Sequence, residues 1–376
     1  MQRKGKYIYQ RKEWPNFRWD NSSLITLLAE VRYLQGLHLG KMGSLGFELK
    51  NTAVLETMTL DVLKSTEIEG LVLNIEQVRS SIARSLGLDI VDSVHSNRDV
   101  DGVVDMVMDA ANRFKDNIKV ERLFAWHSSL FPSGRSGFFN INVGKWRSDS
   151  KGPMQVVSGP IGKEKIHYQA PSAELIQQEM ATFIQWFNQN EENDHFIKAG
   201  IAHLWFVTIH PFDDGNGRIA RALTEMLLAR ADGMPQRYYS MSAQISLERN
   251  QYYNQLEKSQ KGNLDITDWL VWFLTCLKNA LVASDHILSR ILFKHHFWNK
   301  NATIIFNDRQ VLMLNKLLDG FHGKLTTSKW AIISKCSPDT ALRDIQKLID
   351  YKIIQKADKG GRSTHYKLVD TFTTQK

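Results

Sequence analysis

The sequence predicts a mainly α-helical fold. Only eight of its 376 residues are prolines, and proline is the residue that most strongly interrupts a helix. Over most of the chain, apolar residues recur at the three- and four-residue spacing of a helix rather than in the alternation of a strand. We therefore expect a helical N-terminal domain, a helical core with one β-hairpin, and a small α+β domain at the C-terminal end.

The chain is expected to begin with an extended arm, in which Tyr7–Gln10 and Trp14–Phe17 precede the first helix. The stretch 196–207 is apolar on all sides, which is typical of a buried central helix. Helices are predicted at about 20–40, 50–68, 74–86, 98–116, 120–131, 172–190, 194–209, 216–232, 246–259 and 264–297.

A short polar segment, His210-Pro-Phe-Asp-Asp-Gly-Asn-Gly-Arg218, separates two of these helices. Pro211 disfavours helical geometry at the residue before it, so His210 is expected at a helix end, exposed on a loop. The glycine-rich turn that follows opens a helix and offers free backbone N–H groups to phosphate oxygens. Asn216 is the expected N-cap of that helix.

The side chains of this segment suit the handling of a nucleotide. The imidazole of His210 can take a proton from a hydroxyl group. A carboxylate such as Asp214 can hold Mg²⁺, a hard cation that prefers oxygen ligands. Arg218 and Arg221 are three residues apart, so they share a helix face, and arginines bind phosphate through two N–H groups at once. The segment is therefore interpreted as an active site that activates a hydroxyl nucleophile.

Residues 210–218, followed by Arg221, resemble the motif HPFx[D/E]GN[G/K]R of Fic-domain proteins at every specified position. The resemblance implies a helical Fic core that transfers AMP from ATP to a Ser, Thr or Tyr hydroxyl of a target protein. It implies that His210 is the general base and that Asp214 coordinates Mg²⁺. It also implies that the phosphates are bound by Gly215, Asn216, Gly217, Arg218 and Arg221. Glycine at 217, where some relatives have lysine, resembles the nucleotidyl-transferring branch.

A second segment, Ser65-Thr-Glu-Ile-Glu69-Gly70, fits the pattern [S/T]xxxE[G/N], which resembles the inhibitory motif of Fic proteins. Ser65 and Glu69 lie on one helix face, and Gly70 suits a left-handed C-cap. In the family this glutamate pairs with the second arginine of the active-site motif, which here implies Glu69 with Arg221. The alternative is an ordinary helix that ends at a glycine.

Further stretches extend the resemblance. Gly144–Arg147 followed by Gln155–Gly159 resembles the flap hairpin that covers the nucleotide and binds the target by strand addition. The resemblance implies that Val156, Val157, Ser158, Tyr252, Tyr253 and Gln260 contact the nucleotide, the tyrosines by stacking near the adenine. The alternatives are a surface hairpin without a role and aromatic residues that only pack.

The C-terminal segment differs in charge from the rest of the chain. Residues 300–376 contain 14 Lys and Arg against 7 Asp and Glu, whereas the remaining residues contain 34 against 33. Helices are expected at Asp308–Leu318, Thr327–Lys335 and Pro338–Asp350. They are followed by strands at Ile353–Lys356 and Thr364–Leu368 around a basic turn, Asp358–Arg362. This order is typical of a winged helix-turn-helix.

In that segment Ser337 is the expected N-cap of the last helix, with Pro338 in its first turn. Thr340, Arg343, Asp344 and Lys347 would line its exposed face. Such a face can enter the major groove of DNA while a basic wing touches phosphates. Many winged helices instead bind proteins or form dimers, so both readings stay open.

These observations divide the chain into residues 1–95 with the inhibitory helix, 96–298 as the catalytic core, and 299–376 as the winged helix. The N-terminal arm resembles a domain often joined to bacterial Fic cores.

Two cysteines, Cys276 and Cys336, are expected to be reduced and buried. The N-terminus lacks a signal-peptide pattern and no apolar run spans a membrane, so a cytoplasmic protein is expected. In the sequence, His127, His203 and His295-His296 have no evident partners. The resemblance to relatives that regulate themselves as dimers makes a homodimer plausible.

Three functions follow from the sequence. The first is a protein adenylyltransferase inhibited by its own Glu69. The second is removal of AMP, in which the inhibitory glutamate activates water, as in some relatives. The third is a DNA-binding regulator whose Fic core senses a ligand. The intact His210 and Asp214 favour an enzyme over a sensor, because sensing would not require a base.

Overall fold

The computed structural model describes residues 7–90, 93–150, 152–160, 162–189, 194–235, 237–321, 323–357 and 364–369. The chain divides into two compact units, Met1–Ser284 and Asp285–Lys376. The described residues are mainly helical, as the sequence predicts. Within these ranges, no helix combines the length and apolar character needed to cross a membrane.

The first unit contains the helices that surround the candidate site. Its helices are α1 (Asn21–Gly43), α2 (Phe47–Ile68), α3 (Ile75–Ser85), α4 (Arg98–Asn112), α5 (Val120–Leu130), α6 (Ile176–Asn188), α7 (His195–Ile209), α8 (Asn216–Asp232), α9 (Met241–Leu247), α10 (Arg249–Gln260) and the start of α11 (Thr267–Lys300). Two antiparallel hairpins accompany them, β1 (Arg135–Ser136) with β2 (Phe139–Asn140) and β3 (Gln155–Ser158) with β4 (Lys165–Gln169).

Helix α7 is the centre of this unit. Every residue from Phe196 to Ile209 is buried, which confirms the interpretation of the apolar stretch as a central helix. Helix α8 packs along it and is itself buried from Ile219 to Ala229. The six residues between α7 and α8 are therefore held from both sides, because each end of the loop is continuous with a buried helix.

Three predictions about local structure in this unit are wrong. Ile8–Gln10 forms a 3₁₀ helix rather than an extended arm. The helix expected at 246–259 is two helices, α9 and α10, that meet at Glu248. The strand Gln155–Ser158 pairs with Lys165–Gln169, not with the segment 144–147. In the last case β4 alternates polar and apolar residues, Lys-Ile-His-Tyr-Gln, a strand pattern that lies beyond the stretch assigned to the hairpin.

The second unit contains α12 (Asp308–Leu318), α13 (Thr327–Ile333), α14 (Pro338–Asp350), β5 (Ile354–Lys356) and β6 (Tyr366–Leu368). The strands are antiparallel, and the fully buried ring of Trp330 lies in the core of the unit. Ser337 caps α14 by accepting a hydrogen bond from the backbone N–H of Thr340 at 3.2 Å. The basic turn Asp358–Arg362 lies outside the described residues. A domain boundary at residue 298 stays a prediction.

The expectation that Asp344 faces solvent is wrong. Its carboxylate is buried and accepts hydrogen bonds from Arg309 Nε at 2.7 Å and Asn307 Nδ2 at 2.8 Å. A buried carboxylate needs such partners, and a partner on another helix is not visible in the sequence. Arg343 and Lys347 are exposed, as expected.

We predict that Phe206→Ala lowers the free energy of unfolding of the first unit by about 3–5 kcal/mol, because the ring is fully buried in α7. Phe47→Ala is the matched control, since that ring is 78% exposed at the start of α2. It should change the free energy by no more than about 0.5 kcal/mol. Denaturant titration of both variants measures the difference, and equal losses would contradict the assignment of α7 as the core.

Candidate functional site

The loop between α7 and α8 is closed by the side chain of Asn216. Its Oδ1 accepts from the backbone N–H of Phe212 at 3.0 Å, and its Nδ2 donates to the carbonyl of Phe212 at 2.8 Å. The prediction that Asn216 is the N-cap is therefore wrong. The capping position belongs to Gly215, whose φ of 79° lies in the left-handed region. The backbone N–H groups of the first turn of α8 have no intrahelical partner, which is the property an anion site requires.

His210 follows the last residue of α7 with a φ of 54°. Its side chain is half-buried rather than exposed, and Nδ1 lies 3.2 Å from the carbonyl of Val207. That contact places the ring proton on Nδ1 and leaves the lone pair of Nε2 free. Burial lowers the pKa of His210, although the hydrogen bond to Val207 opposes the shift. The imidazole is therefore neutral at neutral pH and can accept a proton.

Arg147 fixes the backbone at His210. Its Nε donates to the carbonyl of His210 at 2.8 Å, and its backbone N–H donates to the carbonyl of Pro211 at 3.0 Å. The guanidinium is buried and pairs with Asp149 at 2.7 Å. Sequence reasoning placed Arg147 in the flap. The structure instead shows a buried clamp that sets the position of His210.

His127 supports the same loop from α5. Its ring stacks on Phe212 with centroids 4.2 Å apart, and Nε2 lies 3.2 Å from the carbonyl of Asp214. Nδ1 accepts from the backbone N–H of Gly144 at 3.2 Å, so the ring proton is on Nε2. Burial lowers the pKa of His127 to about 4, which keeps the ring neutral. The expectation that His127 has no partner is wrong, because its partners are distant backbone groups.

Asp214 and Arg218 lie four residues apart at the start of α8. The Oδ1 of Asp214 accepts from the backbone N–H of Gly215 at 2.6 Å, and its Oδ2 accepts from the hydroxyl of Ser136. Arg218 Nη2 is 4.0 Å from that Oδ2. Among the described residues, the buried Nε of Arg218 has no hydrogen-bond partner. The carboxylate of Asp214 is 44% exposed, so it can reach a ligand in the loop.

Arg221 is buried and held by the end of α2. Its Nη2 donates to Glu69 Oε1 at 2.8 Å and to the carbonyl of Ser65 at 2.7 Å, and its Nε donates to Ser65 Oγ at 2.9 Å. Burial would lower the pKa of Arg221, but Glu69 raises it overall. Helix α2 ends at Ile68, and Gly70 has a φ of 81°, the left-handed cap expected from the sequence.

Glu69 reaches over the first turn of α8. A methyl group built on Gly217 would overlap Glu69 Oε1 and would approach Arg221 Nη1 to 3.2 Å. Within the part of the chain that the structure describes, that Nη1 is buried without a hydrogen-bond partner. The glycine at 217 therefore makes room for the carboxylate, and Glu69 occupies space beside the turn where an anion would lie.

The two tyrosines of α10 differ in exposure. Tyr252 is 2% exposed and packs against Trp272, whereas Tyr253 is 37% exposed. The hydroxyl of Tyr253 donates to the carbonyl of Ile68 at 3.3 Å. Gln260 is buried, and its Nε2 lies 3.4 Å from the carbonyl of Val207. Tyr253 is the most exposed of these three residues, which favours it over Tyr252 as the candidate for a base contact.

His203 lies behind Tyr252 in the core. Its Nε2 is 2.8 Å from the Tyr252 hydroxyl, and its Nδ1 is 3.0 Å from Thr224 Oγ1, which donates to the carbonyl of Ala220. Burial lowers the pKa of His203 to about 3. The expectation that His203 has no partner is therefore wrong. A histidine within an apolar helix carries no signal of the polar groups it meets.

The hairpin β3–β4 carries the remaining candidate residues. Val156 is half-buried against Tyr168, whose hydroxyl donates to the carbonyl of Thr208 at 2.7 Å. Val157 is 47% exposed, and Ser158 is exposed as well. The hairpin is thus joined to the end of α7 through Tyr168, and its outer residues remain accessible.

Comparison with known proteins agrees with this geometry. Residues 117–228 match the model of the Fic/DOC family, and residues 7–88 match a domain of unknown function, DUF4172. The chain contains a Fic-family domain. This domain includes α7, the 210–218 segment and Arg221, whereas Glu69 belongs to the region matched by the second model.

Two curated relatives are named protein adenylyltransferases. The fic-1 protein of Caenorhabditis elegans is 26% identical over 220 residues, which cover 56% of this chain and 38% of the relative. The Fic protein of Drosophila grimshawi is 35% identical over 104 residues, or 27% of this chain and 20% of the relative. The chain therefore spans well under half the length of either relative.

A solved structure shares the fold. A Fic family protein from Desulfovibrio desulfuricans G20 has a TM-score of 0.52 and 18% identity, and the match covers 94% of this chain and 98% of that one.

We predict opposite effects of Gly217→Ala in two backgrounds. In the wild type, the new methyl group displaces Glu69 from Arg221 and should lower the free energy of unfolding by about 1–3 kcal/mol. In Glu69→Gly the obstacle is gone, and alanine in a helix should be neutral or stabilising by about 0.4–1 kcal/mol. Denaturant titration of the four proteins measures the coupling. Equal effects of the methyl group in both backgrounds would contradict the contact.

Proposed function

We propose that this protein is an adenylyltransferase that moves AMP from ATP to a Ser, Thr or Tyr hydroxyl of a target protein and releases pyrophosphate. The observation that carries the proposal is the Glu69–Arg221 pair at 2.8 Å beside the first turn of α8. A carboxylate there occupies the position of an anion, so the same groups can hold a phosphate once the carboxylate leaves.

His210 is assigned as the general base. Its free Nε2 accepts the proton of the target hydroxyl as the oxygen attacks the α-phosphorus of ATP. The bond from that phosphorus to the bridging oxygen breaks, and pyrophosphate leaves. The lowered pKa supports this role because the ring is already deprotonated at neutral pH. Arg147 and the left-handed backbone at His210 hold the ring in place.

The phosphates are assigned to the first turn of α8. Gly215, Asn216 and Gly217 supply the end of the helix where backbone N–H groups face outward. Arg218 and Arg221 each keep one buried N–H group without a partner among the described residues. Buried donors of this kind are costly unless a ligand meets them, which supports a bound anion.

Mg²⁺ is the metal that this set of residues fits. Magnesium is usually bound by one or two carboxylates together with substrate phosphates and water. Asp214 offers one partly exposed carboxylate beside the anion turn, and the described residues contain no cluster of three or more ligands for a protein-only site. When bound, the ion would neutralise charge on the phosphates.

Glu69 is assigned as the inhibitory residue, with Ser65 and Gly70 as its support. Ser65 is uncharged, and its hydroxyl and its carbonyl oxygen both accept hydrogen bonds from Arg221. Gly70 ends the helix so that Glu69 faces the turn. While the pair persists, the terminal phosphate of ATP lacks its arginine. Removal of AMP by a water activated at Glu69 remains a second use of the same carboxylate.

We predict that Glu69→Gly increases AMP transfer and that adding His210→Ala abolishes it. The first change frees Arg221 for phosphate. The second removes the base, and general base catalysis contributes about 100- to 10,000-fold to the reaction rate. The measurement is incorporation of label from α-labelled ATP with Mg²⁺ into the protein itself and into added cell extract.

Ser65→Ala serves as the intermediate control, because it removes one of the contacts of Arg221 but leaves the carboxylate. It should increase transfer less than Glu69→Gly does. Label that is equal in wild type and Glu69→Gly would contradict the inhibitory role. ATP binding without label in every variant would favour removal of AMP or another donor.

DNA binding by the second unit is a separate candidate function. Arg343 and Lys347 are exposed on α14 and lie four residues apart, hence on one face. The excess positive charge of residues 300–376 supports attraction to phosphates. The burial of Asp344 supports it as well, because that carboxylate no longer repels a phosphate from the exposed face.

We predict that the protein retards duplex DNA in a gel and releases it as salt rises. Arg343→Ala/Lys347→Ala should weaken binding and reduce the dependence of log K on log salt by about two, one for each phosphate contact. Lys12→Ala, which removes an exposed charge from the first unit, should leave both quantities unchanged. Absence of retardation at low salt would exclude the DNA function.

A further inference from the structure

Three side chains on the outside of the β3–β4 hairpin form a linear arrangement. Ser158 Oγ lies 2.6 Å from His167 Nε2, and His167 Nδ1 lies 2.6 Å from Glu257 Oε2. Each residue comes from a different element: β3, β4 and α10. A hydroxyl, an imidazole and a carboxylate in this order are the parts of an activated nucleophile. None of the three belongs to the 210–221 motif.

The backbone of the hairpin is adapted to this contact. Val156 pairs with Tyr168 and Val157 with Ile166, so His167 has no opposite residue and is the extra residue of a β-bulge. A bulge redirects a side chain and is common beside active sites. Here it turns the imidazole toward Ser158 on one side and toward α10 on the other.

The charges favour the reactive tautomer. Glu257 Oε1 accepts from Lys261 Nζ at 2.5 Å, and this hydrogen bond, with that of His167, lowers the pKa of Glu257. The carboxylate is therefore ionised and accepts the proton on Nδ1 of His167. The lone pair of Nε2 then faces the Ser158 hydroxyl, as a general base requires.

The surroundings leave the hydroxyl reachable. Ser158 is exposed, whereas the side chains of His167 and Glu257 are each only 26% exposed. Lys165 is the cross-strand partner of Ser158, and opposite residues of a hairpin project from the same face. An ammonium group on that face can stabilise an oxyanion that forms next to the serine.

We propose that Ser158 is a nucleophilic serine of a second reactive site, activated by His167 and Glu257, which takes acyl groups from carboxylic esters. Ser158 Oγ bonds to the ester carbonyl carbon while its proton moves to His167 Nε2. The carbonyl oxygen carries the negative charge next to Lys165. The bond to the alcohol oxygen then breaks, His167 returns the proton to the departing alcohol, and Ser158 remains acylated until water repeats the sequence.

A contact that only ties the hairpin to α10 would need the hydrogen bonds but no reactivity. A structural contact and a reactive serine respond differently to Glu257→Gln. The amide can still hold His167 in place, yet it cannot offset the charge of the imidazolium that forms during attack. A reactive serine therefore loses rate in this variant, whereas a structural contact loses little.

The test is covalent labelling of the full chain by a fluorophosphonate probe, with the site found by mass spectrometry, and release of nitrophenol from p-nitrophenyl acetate. Wild type should be labelled at Ser158, and Ser158→Ala should not. His167→Gln and Glu257→Gln should slow labelling by about 100-fold or more. Ser150→Ala is the matched control, because within the described residues the hydroxyl of that exposed serine pairs with the hydroxyl of Ser148 at 3.0 Å and not with an imidazole.

Thermal unfolding of each variant checks that the fold is kept. Labelling of Ser158 no faster than that of other surface serines would overturn the proposal, as would labelling that His167→Gln leaves unchanged. Neither probe contains a nucleotide, so the result does not depend on AMP transfer. Labelled Ser158 without AMP transfer by Glu69→Gly would contradict the adenylyltransferase alone, and AMP transfer without labelled Ser158 would contradict this site alone.

Discussion

A buried guanidinium requires a partner for its charge, and this requirement organises the first unit. Arg221 is 3% exposed within α8, and its partners are the hydroxyl, carbonyl and carboxylate supplied by the end of α2. Removing one member of a buried ion pair leaves the other uncompensated, which is strongly unfavourable. Helix α2 is thus bound to α8 by the same arginine that is proposed to hold phosphate.

The loop beside Arg221 is supported by neutral side chains as well as by the buried ion pair of Arg147 with Asp149. His127 supports Phe212 and Asp214 from α5, and Asn216 closes the loop on itself. Because burial keeps the ring of His127 neutral, the support does not change with protonation near neutral pH. The supports that His127 and Asn216 give to the loop therefore carry no charge, and the ion pair of Arg147 with Asp149 adds no net charge.

The sequence predicts the helices well because their apolar spacing is local information. It also identifies His210 and the helix end at Ile209, since Pro211 acts on its immediate neighbour. What it does not reveal are pairings over long separations. The buried carboxylate of Asp344 is paired with Arg309 of another helix. Arg147, which was expected in the flap, donates a hydrogen bond to the carbonyl of His210. The same holds for His203, whose polar partners are brought to it by α8 and α10.

The hydrogen bond from Tyr253 to the carbonyl of Ile68 has a thermodynamic consequence. Tyr253 is the exposed aromatic residue of α10, and Ile68 directly precedes Glu69 at the end of α2. Any molecule that reorients the Tyr253 ring alters the support of that helix end, and a displaced helix end alters the ring in return. Linkage requires the two effects to be equal in free energy. Binding of a molecule at the Tyr253 ring and release of the Glu69 carboxylate from Arg221 are therefore two parts of one coupled equilibrium.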